Sequence, residues 1–324
     1  MSKIIGRQIN VGIGKEATRG TAVAPDYTLK LTAIDFDDKL EAVTTEQGVG
    51  VIEDATGQEI VKTWGEGNLE GRVYDRSFGL ILLSALGSLA SVETADTGVY
   101  AHTFSVEQGV QHQSLTIDIK SGGNEQSAFA NAMINSLEIS APVNEAVKFN
   151  ASLMSKVSAT STESHAYITE NGFLSKDTEV YFADDKAGLG GATAIKIKNL
   201  SLSINKNLES DEVLGEATPQ DFNNKQFTIE GSIELTYDDA TYKNLAIAGT
   251  QKAMRIEMID TATTIGASSN PKIVIDLAKV MFSEYSRSND LDGIVTQSLN
   301  FKAFYSLDDS EMIEAVITNL ATDY

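Results

Sequence analysis

Apolar and polar residues alternate along most of the chain. The segments "QINVGI", "TLKLTAIDF", "SLTIDIKS", "NSLEIS", "VKFNASL", "TEVYFA", "IKIKNLSLSI", "FTIEGSIELT", "MRIEMID", "PKIVIDL" and "SLNFKAFY" each read as a strand with one apolar and one polar face. They predict a mainly antiparallel β protein. Two stretches break the period, "RSFGLILLSALG" (76–87) and "DATYKNLAIAG" (239–249), and read as short helices ending at Gly87 and Gly249. Asp75 and Asp238 are placed to cap them. Phe78, Leu82, Ala85 and Leu86, and Tyr242, Leu245, Ala246 and Ala248, fall where a helix buries its apolar face.

The order of these pieces repeats. "TLKLTAIDFDDKLE" (28–41) matches "AIKIKNLSLSINKNLE" (194–209), and "GNLEGRVYD" (67–75) matches "FTIEGSIELTYD" (227–238) through an apolar-Glu-Gly core. After the helices, "SLTIDIKS" matches "AMRIEMID", "ANAMINSLEIS" matches "LAKVMFSEYS", and "VKFNASL" matches "LNFKAFY". Residues 88–113 have almost no counterpart and read as an insertion. The last two strands of each copy are joined by the turns "APVNEA" and "SNDLDGI", where Asn144 or Asp292-Gly293 supplies hairpin geometry. This pattern predicts two tandem domains, 1–156 and 177–324, joined by a Ser/Thr-rich linker over 157–176. Each carries one short flanking helix and a long polar loop, 42–63 or 210–226, expected to order only on contact.

Charge narrows the function. The 324 residues hold 25 Lys and Arg against 46 Asp and Glu, and the formal charge of −21 opposes binding to phosphate backbones or anionic membranes. No segment has the length and apolarity of a membrane span, so no membrane insertion is expected. With no cysteine, thiolate metal sites and thiol nucleophiles are excluded. The three histidines, His102, His112 and His165, are scattered among polar neighbours and read as surface or incidental residues rather than catalytic or metal-binding ones.

"VGIGKEATRG" (11–20) invites a phosphate-loop reading. The pattern needs a glycine and a hydroxyl where Ile9 and Glu16 stand, and the second copy puts Asp184 and Asp185 near the places of Gly12 and Gly14. No nucleotide, metal or other cofactor is expected. "NDLDG" (289–293) lacks the final carboxylate of a calcium loop, since Phe301 stands there. Neighbouring carboxylates such as Asp37 and Asp38 have no partner of distinct environment for acid–base work, so no enzyme is expected.

"GRQINVGIGKEATRGTAVAP", "KTWGEGNLEGRVYDRSFGLILLSALGS", "YAHTF" and "QHQSLTIDIK" resemble the first half of phage tail tube, or major tail, proteins, over most of residues 1–155. The resemblance implies two tail-tube-like β-sandwich or barrel domains and a virion protein made in the host cytoplasm. It implies rings stacked into a tube through which phage DNA passes without specific binding. Single-domain members form hexameric rings, so two domains per chain imply homotrimeric, pseudo-hexameric ones. Tail terminator, baseplate or tail tip, and tape measure proteins are the implied partners. Such a trimer would carry a formal charge of about −63, three times −21.

From alternation alone, the candidate lumen-facing residues are Thr116, Asp118, Glu138, Arg255 and Glu257. Candidate ring–ring or subunit contacts are Lys15, Arg19, Glu46, Glu53, Asp54, Glu59, Glu212, Glu216 and Asp221. The alternative reading is an acidic β-rich module that decorates a virion or binds at a surface. Exposed aromatic clusters would mark it, but the lone Trp64 sits where a repeated strand begins and reads as packing.

Overall fold

A computed structural model describes residues 3–288 and 291–324. Asn289 and Asp290, part of the supposed calcium loop, lie outside the described residues. The first half contains strands β1 (Ile9–Lys15), β2 (Tyr27–Leu29), β3 (Leu31–Thr45) and β4 (Gly57–Arg72), then helix α1 (Phe78–Leu86). It continues with β5 (Gly87–Glu93), β6 (Tyr100–Val106), β7 (Leu115–Ser121), β8 (Glu125–Pro142), β9 (Lys148–Ser155) and β10 (Ala159–Thr160). The second half contains β11 (Thr178–Ala183), β12 (Ala194–Ile195), β13 (Asn199–Asn205), β14 (Glu209–Asp211), β15 (Asp221–Asn223) and β16 (Thr228–Thr236). Helix α2 (Thr241–Ala248), β17 (Lys252–Ile259), β18 (Lys272–Arg287), β19 (Thr296–Ala303) and β20 (Ile313–Asn319) complete it. The protein is mainly β, as its alternation predicts; its strands pair antiparallel, eighteen of those described in one large hydrogen-bonded network and β14 with β15 in a sheet of their own.

The pairings follow the same path twice. In the first half the order is β2, β1, β7, β8, β9, β4, β3. In the second it is β12, β11, β17, β18, β19, β16, β13. Register shifts also fall at matching places. β8 shifts against β7 between Leu115 and Ile117 and against β9 between Ile134 and Ser136. β18 does so against β17 between Lys252 and Met254 and against β19 between Phe282 and Glu284. Such bulges bend a strand, letting each long strand leave one partner and take up another.

By ladder position Gly67, opposite Leu153, corresponds to Gly231, opposite Phe301. The Glu-Gly pair at 230–231 therefore falls on Glu66-Gly67, four residues before the Glu70-Gly71 that sequence matching selects. A Cβ would come within 1.6 Å of Asp35 O at Gly67 and 2.4 Å of Ser201 O at Gly231, so only glycine fits either place.

The helices differ in burial. All nine residues of α1 are buried, and the Tyr324 ring lies over Gly79 so closely that a Cβ there would meet it at 2.1 Å. Helix α2 has no buried residue, although Tyr242, Leu245 and Ala246 touch the core. Neither expected cap forms. Asp75 turns instead to the Asn171 amide and side chain, both at 2.8 Å, and Asp239 rather than Asp238 accepts from the first-turn amide of α2, Thr241 N, at 2.7 Å.

The halves interlock through two pairings. β13 lies beside β8, with Ser136 opposite Asn205 and Pro142 opposite Asn199. β6, from the expected insertion, runs along β20 near the end of the second half. The Ser/Thr-rich connection is pinned to the first half: Ser161 and His165 bond Asp118, Glu170 accepts from Ser77 N, and Phe173 is fully buried.

Parts of the two long polar segments are strand-paired within the chain, which the expectation of order only on contact did not include. Over 42–63, β3 and β4 extend past the rest of the sheet as a paired ribbon reaching Thr45 and Gly57. Over 210–226, β14 and β15 form a short hairpin that folds back on the first half, where Phe222 is fully buried. Cross-strand backbone bonding stabilises such segments without an apolar stripe, which composition does not reveal.

Candidate assembly surfaces and channel face

The pairings join β3, β4, β9, β8, β13, β16, β19 and β18 into one continuous run. One face of it is apolar and belongs to the core, with Phe36, Leu69, Leu137, Ile139, Leu153, Leu202, Ile204, Ile229 and Phe301 all buried. The other face is polar. A single rung crosses it through Ala33, Glu70, Asn150, Glu138, Ser203, Glu230 and Lys302. Its groups bond one another in place: Ser201 Oγ donates to Glu138 at 3.1 Å, Lys302 to Glu230 at 2.8 Å, and Asn300 to Glu284 at 2.8 Å.

The run ends in two open edges. β3 pairs with β4 alone, and past Val280 β18 pairs only with β19 among the described residues. Exposed strand edges are templates for another chain. The projecting ribbon adds exposed Leu40, Val43, Ile60 and Val61 beside the β3 edge.

The model of the phage tail tube protein family matches residues 6–303. The chain belongs to the phage tail tube protein family. No curated protein matches it. The family is structural, so this tail tube protein is a virion component and not an enzyme, and it assembles with itself and with other tail components. No helix is long and apolar enough to cross a membrane.

The lumen candidates part company in the structure. Glu138 stands exposed on the polar face of the long sheet. Thr116 and Asp118 are buried, which corrects their assignment to a lumen: Thr116 Oγ1 bonds Val23 N and Glu16, and Asp118 accepts from Gln126, Ser161 and His165. Residues 21–25 and 159–165 cover the polar face of β7, which alternation along β7 alone cannot reveal. Arg255 and Glu257 lie off the long sheet on β17, Arg255 in a two-pronged pair with Asp276 and Glu257 paired with Lys272 at 2.8 Å.

Several contact candidates are engaged inside the chain. Lys15 donates to the carbonyl of Tyr324. Arg19 Nε reaches both Asp221 oxygens at 2.7 and 2.8 Å, and its other nitrogens donate to His112 O and Phe222 O. Glu212 pairs with Lys62. Glu46, Glu53, Asp54 and Glu59 lie exposed along the ribbon, and Glu216 is exposed on the second-half loop.

Three residues organise this region in ways that their sequence context did not announce. Glu16, only 3% exposed, accepts from Gly20 N, Ser114 Oγ, Thr116 Oγ1 and Asn131 N, so the glycine-rich loop closes around a carboxylate of its own. Lys206 is buried with its ammonium donating to Ser84 O at 2.7 Å; burial first, then Arg19, holds it well below the usual lysine range. His112 is buried as well, correcting its surface reading, and burial and then Lys206 push it down to about 4. His102 is buried against Asn319 and Ala321, and the His165 side chain is 4% exposed against Asp118. Trp64 donates to Glu66 at 2.7 Å under the Lys62 ammonium, a packing role. Among the described residues, no cluster of three or more His, Asp or Glu is arranged to hold a metal.

Proposed function

We propose that three copies join head to tail into a closed ring, that rings stack into the tail tube, and that the polar face of the long sheet lines the channel for phage DNA. We read the two halves, 1–156 and 177–324 around the 157–176 connection, as two copies of one tube domain. The observation that carries both readings is the β8·β13 junction. It joins the halves side by side, and the matching edges of β18 and β3 are the two left open. A contact between unlike edges propagates head to tail and closes when its rotation allows.

Eight strands from each of three chains give twenty-four. At the usual strand spacing and barrel tilt, they enclose a wall roughly 45–50 Å across, wider than a DNA duplex. On the inward face, Asp35, Asp37, Glu66, Glu70, Glu138, Glu230, Glu234 and Glu284 outnumber Lys39, Arg72, Lys148 and Lys302. A negative wall repels the phosphate backbone and lets DNA slide without sticking. The projecting ribbon, with Glu46, Glu53, Asp54 and Glu59, reaches toward the neighbouring ring.

Electron microscopy of the purified protein tests this reading. Rings or tubes with threefold mass symmetry and a central channel are expected. Particles that stay monomeric at high concentration, or rings of another order, overturn the trimer.

A further inference from the structure

We propose that the seam between neighbouring chains pairs β18 of one with β3 of the next in a fixed antiparallel register. This register sets Lys39 opposite Glu284 and lays Leu40 on the C-terminal end of the neighbour's α2. The inference rests on the ring reading and gives its contact a chemistry.

Two sets of ladder positions fix the register. Ala132 lies opposite Leu115 and Val280 opposite Lys252, each just before the matching register shift, so β8 maps onto β18 at an offset of 148 (280 minus 132). The second shift, Ile134/Ser136 against Phe282/Glu284, keeps that offset. Phe36 lies opposite Gly67 and Leu202 opposite Gly231, so β3 maps onto β13 at an offset of 166 (202 minus 36). Within the chain, Ser136 faces Asn205 and Leu137 faces Ile204. Carried to the open edges, those pairs become Glu284 with Lys39 and Tyr285 with Asp38.

The open edges are chemically prepared for that register. Lys39 has no ion-pair partner among the described residues, and Glu284 stands exposed on the facing edge. Opposite charges directly across a strand pair stabilise it. The Tyr285 hydroxyl is enclosed without a hydrogen-bond partner, and the register brings opposite it the Asp38 carboxylate, whose oxygens each accept one bond within the chain, from Ser158 N at 2.9 Å and Ser158 Oγ at 2.6 Å, and keep lone pairs for a further donor. Burying a hydroxyl unpaired is costly, so an acceptor from the next chain has a role to fill.

One residue further, the in-chain junction continues with Lys206 N donating to Asn135 O at 2.9 Å, while Lys206 Nζ reaches Ser84 O near the end of α1. The matching residue on the open edge is Leu40. Ser84 lies three residues before the terminal Gly87, and Ala246 three before Gly249, so Leu40 falls on Ala246 and its neighbour Ile247. In the single chain Leu40 is 62% exposed and Ile247 73% exposed. The seam covers both. A buried lysine at the in-chain junction is thus replaced by an apolar pair at the junction between chains.

The chain has no cysteine, so paired cysteines report the register directly. In a matched pair the Cα atoms stand about 4.5–5.5 Å apart, within disulfide reach, whereas a shift of four residues separates them by roughly 13 Å. Oxidised assemblies of the Lys39→Cys/Glu284→Cys variant should run as covalent dimers and trimers without reductant, and Lys39→Cys/Ser288→Cys should not. Leu40→Glu and Ile247→Glu should each raise the concentration needed for assembly at least tenfold while leaving the monomer's melting temperature unchanged. Threefold rings that link through Ser288 instead, or not at all, overturn the register and leave the ring standing. A chain that forms no rings overturns both.

Discussion

Glu16 and Asn131, 115 residues apart, are joined by a 2.7 Å hydrogen bond from the Asn131 amide to Glu16 Oε1. The same carboxylate accepts from Gly20 N, Ser114 Oγ and Thr116 Oγ1, so one side chain fixes the β1–β2 loop against β7 and β8. Glu16→Ala leaves four enclosed donors unpaired and should cost about 2–4 kcal/mol. Glu16→Gln keeps the shape but turns a donor toward donors, and should fall between. Denaturant unfolding of the three proteins gives the order; equal midpoints refute it.

Alternation made most strands legible because each is half-buried, as in β13, where Leu200, Leu202 and Ile204 point inward and Asn199, Ser201 and Ser203 outward. Lys206 continues that inward series, and the signal for its burial was present in "LSLSINK". The same rule failed for Thr116 and Asp118. Alternation sorts residues by face but does not say which face a distant segment later covers; here Ser161 and His165 close over Asp118, and Val23 and Glu16 over Thr116. The β6·β20 pairing joins residues more than two hundred positions apart with no repeat partner to announce it. The glycines of "GIGKEATRG" drew attention to phosphate, yet they make room for the chain itself: a Cβ at Gly12 would meet Pro25 at 2.5 Å, and one at Gly14 would meet Ala24 O at 2.4 Å.

Arg19 and Asp221 tie the second-half hairpin to the first half through an ion pair in which the single Arg19 Nε reaches both carboxylate oxygens, with their side chains 27% and 28% exposed. Partial exposure screens the pair, so a double-mutant cycle with Arg19→Ala and Asp221→Ala should give a coupling of about 1 kcal/mol. Arg19→Lys keeps one charge but cannot bond Asp221, His112 O and Phe222 O at once as the guanidinium does, and should recover little of it. Hydrogen exchange should quicken at Phe222 and Asn224 in each variant; unchanged protection there would show that the hairpin is held by other contacts.

Lys206 and His112 set the pH response of this junction. Both have folded-state pKa values below their ordinary ones, so the unfolded chain binds more protons in the intervening windows and stability rises with pH there. For His112 the window runs from its ordinary 6.5 down to about 4, and acidification across it should cost about 3 kcal/mol. His112→Gln should flatten that part of the stability curve. Lys206→Met should stabilise the protein at neutral pH by removing a buried amine, and its advantage should shrink as pH rises toward the ordinary lysine value near 10.4. Parallel curves for wild type and variants from pH 4.5 to 10 would contradict both assignments.

The channel assignment of the polar sheet face makes a prediction that stability does not. Glu70, Glu138 and Glu230 share one rung and are exposed, so replacing all three by Lys should shift stability by only about 0.5 kcal/mol each. The face would move from repelling phosphates to holding them through released counterions. Virions built with the triple variant should therefore carry normal tails but eject DNA more slowly at low salt. Added salt should restore the rate, because counterion release loses its driving force as the bulk concentration rises. Dye-detected ejection at two salt concentrations measures this. Wild-type rates at both, from tails confirmed to contain the variant, would place these carboxylates outside the channel and return the long sheet to the search for its function.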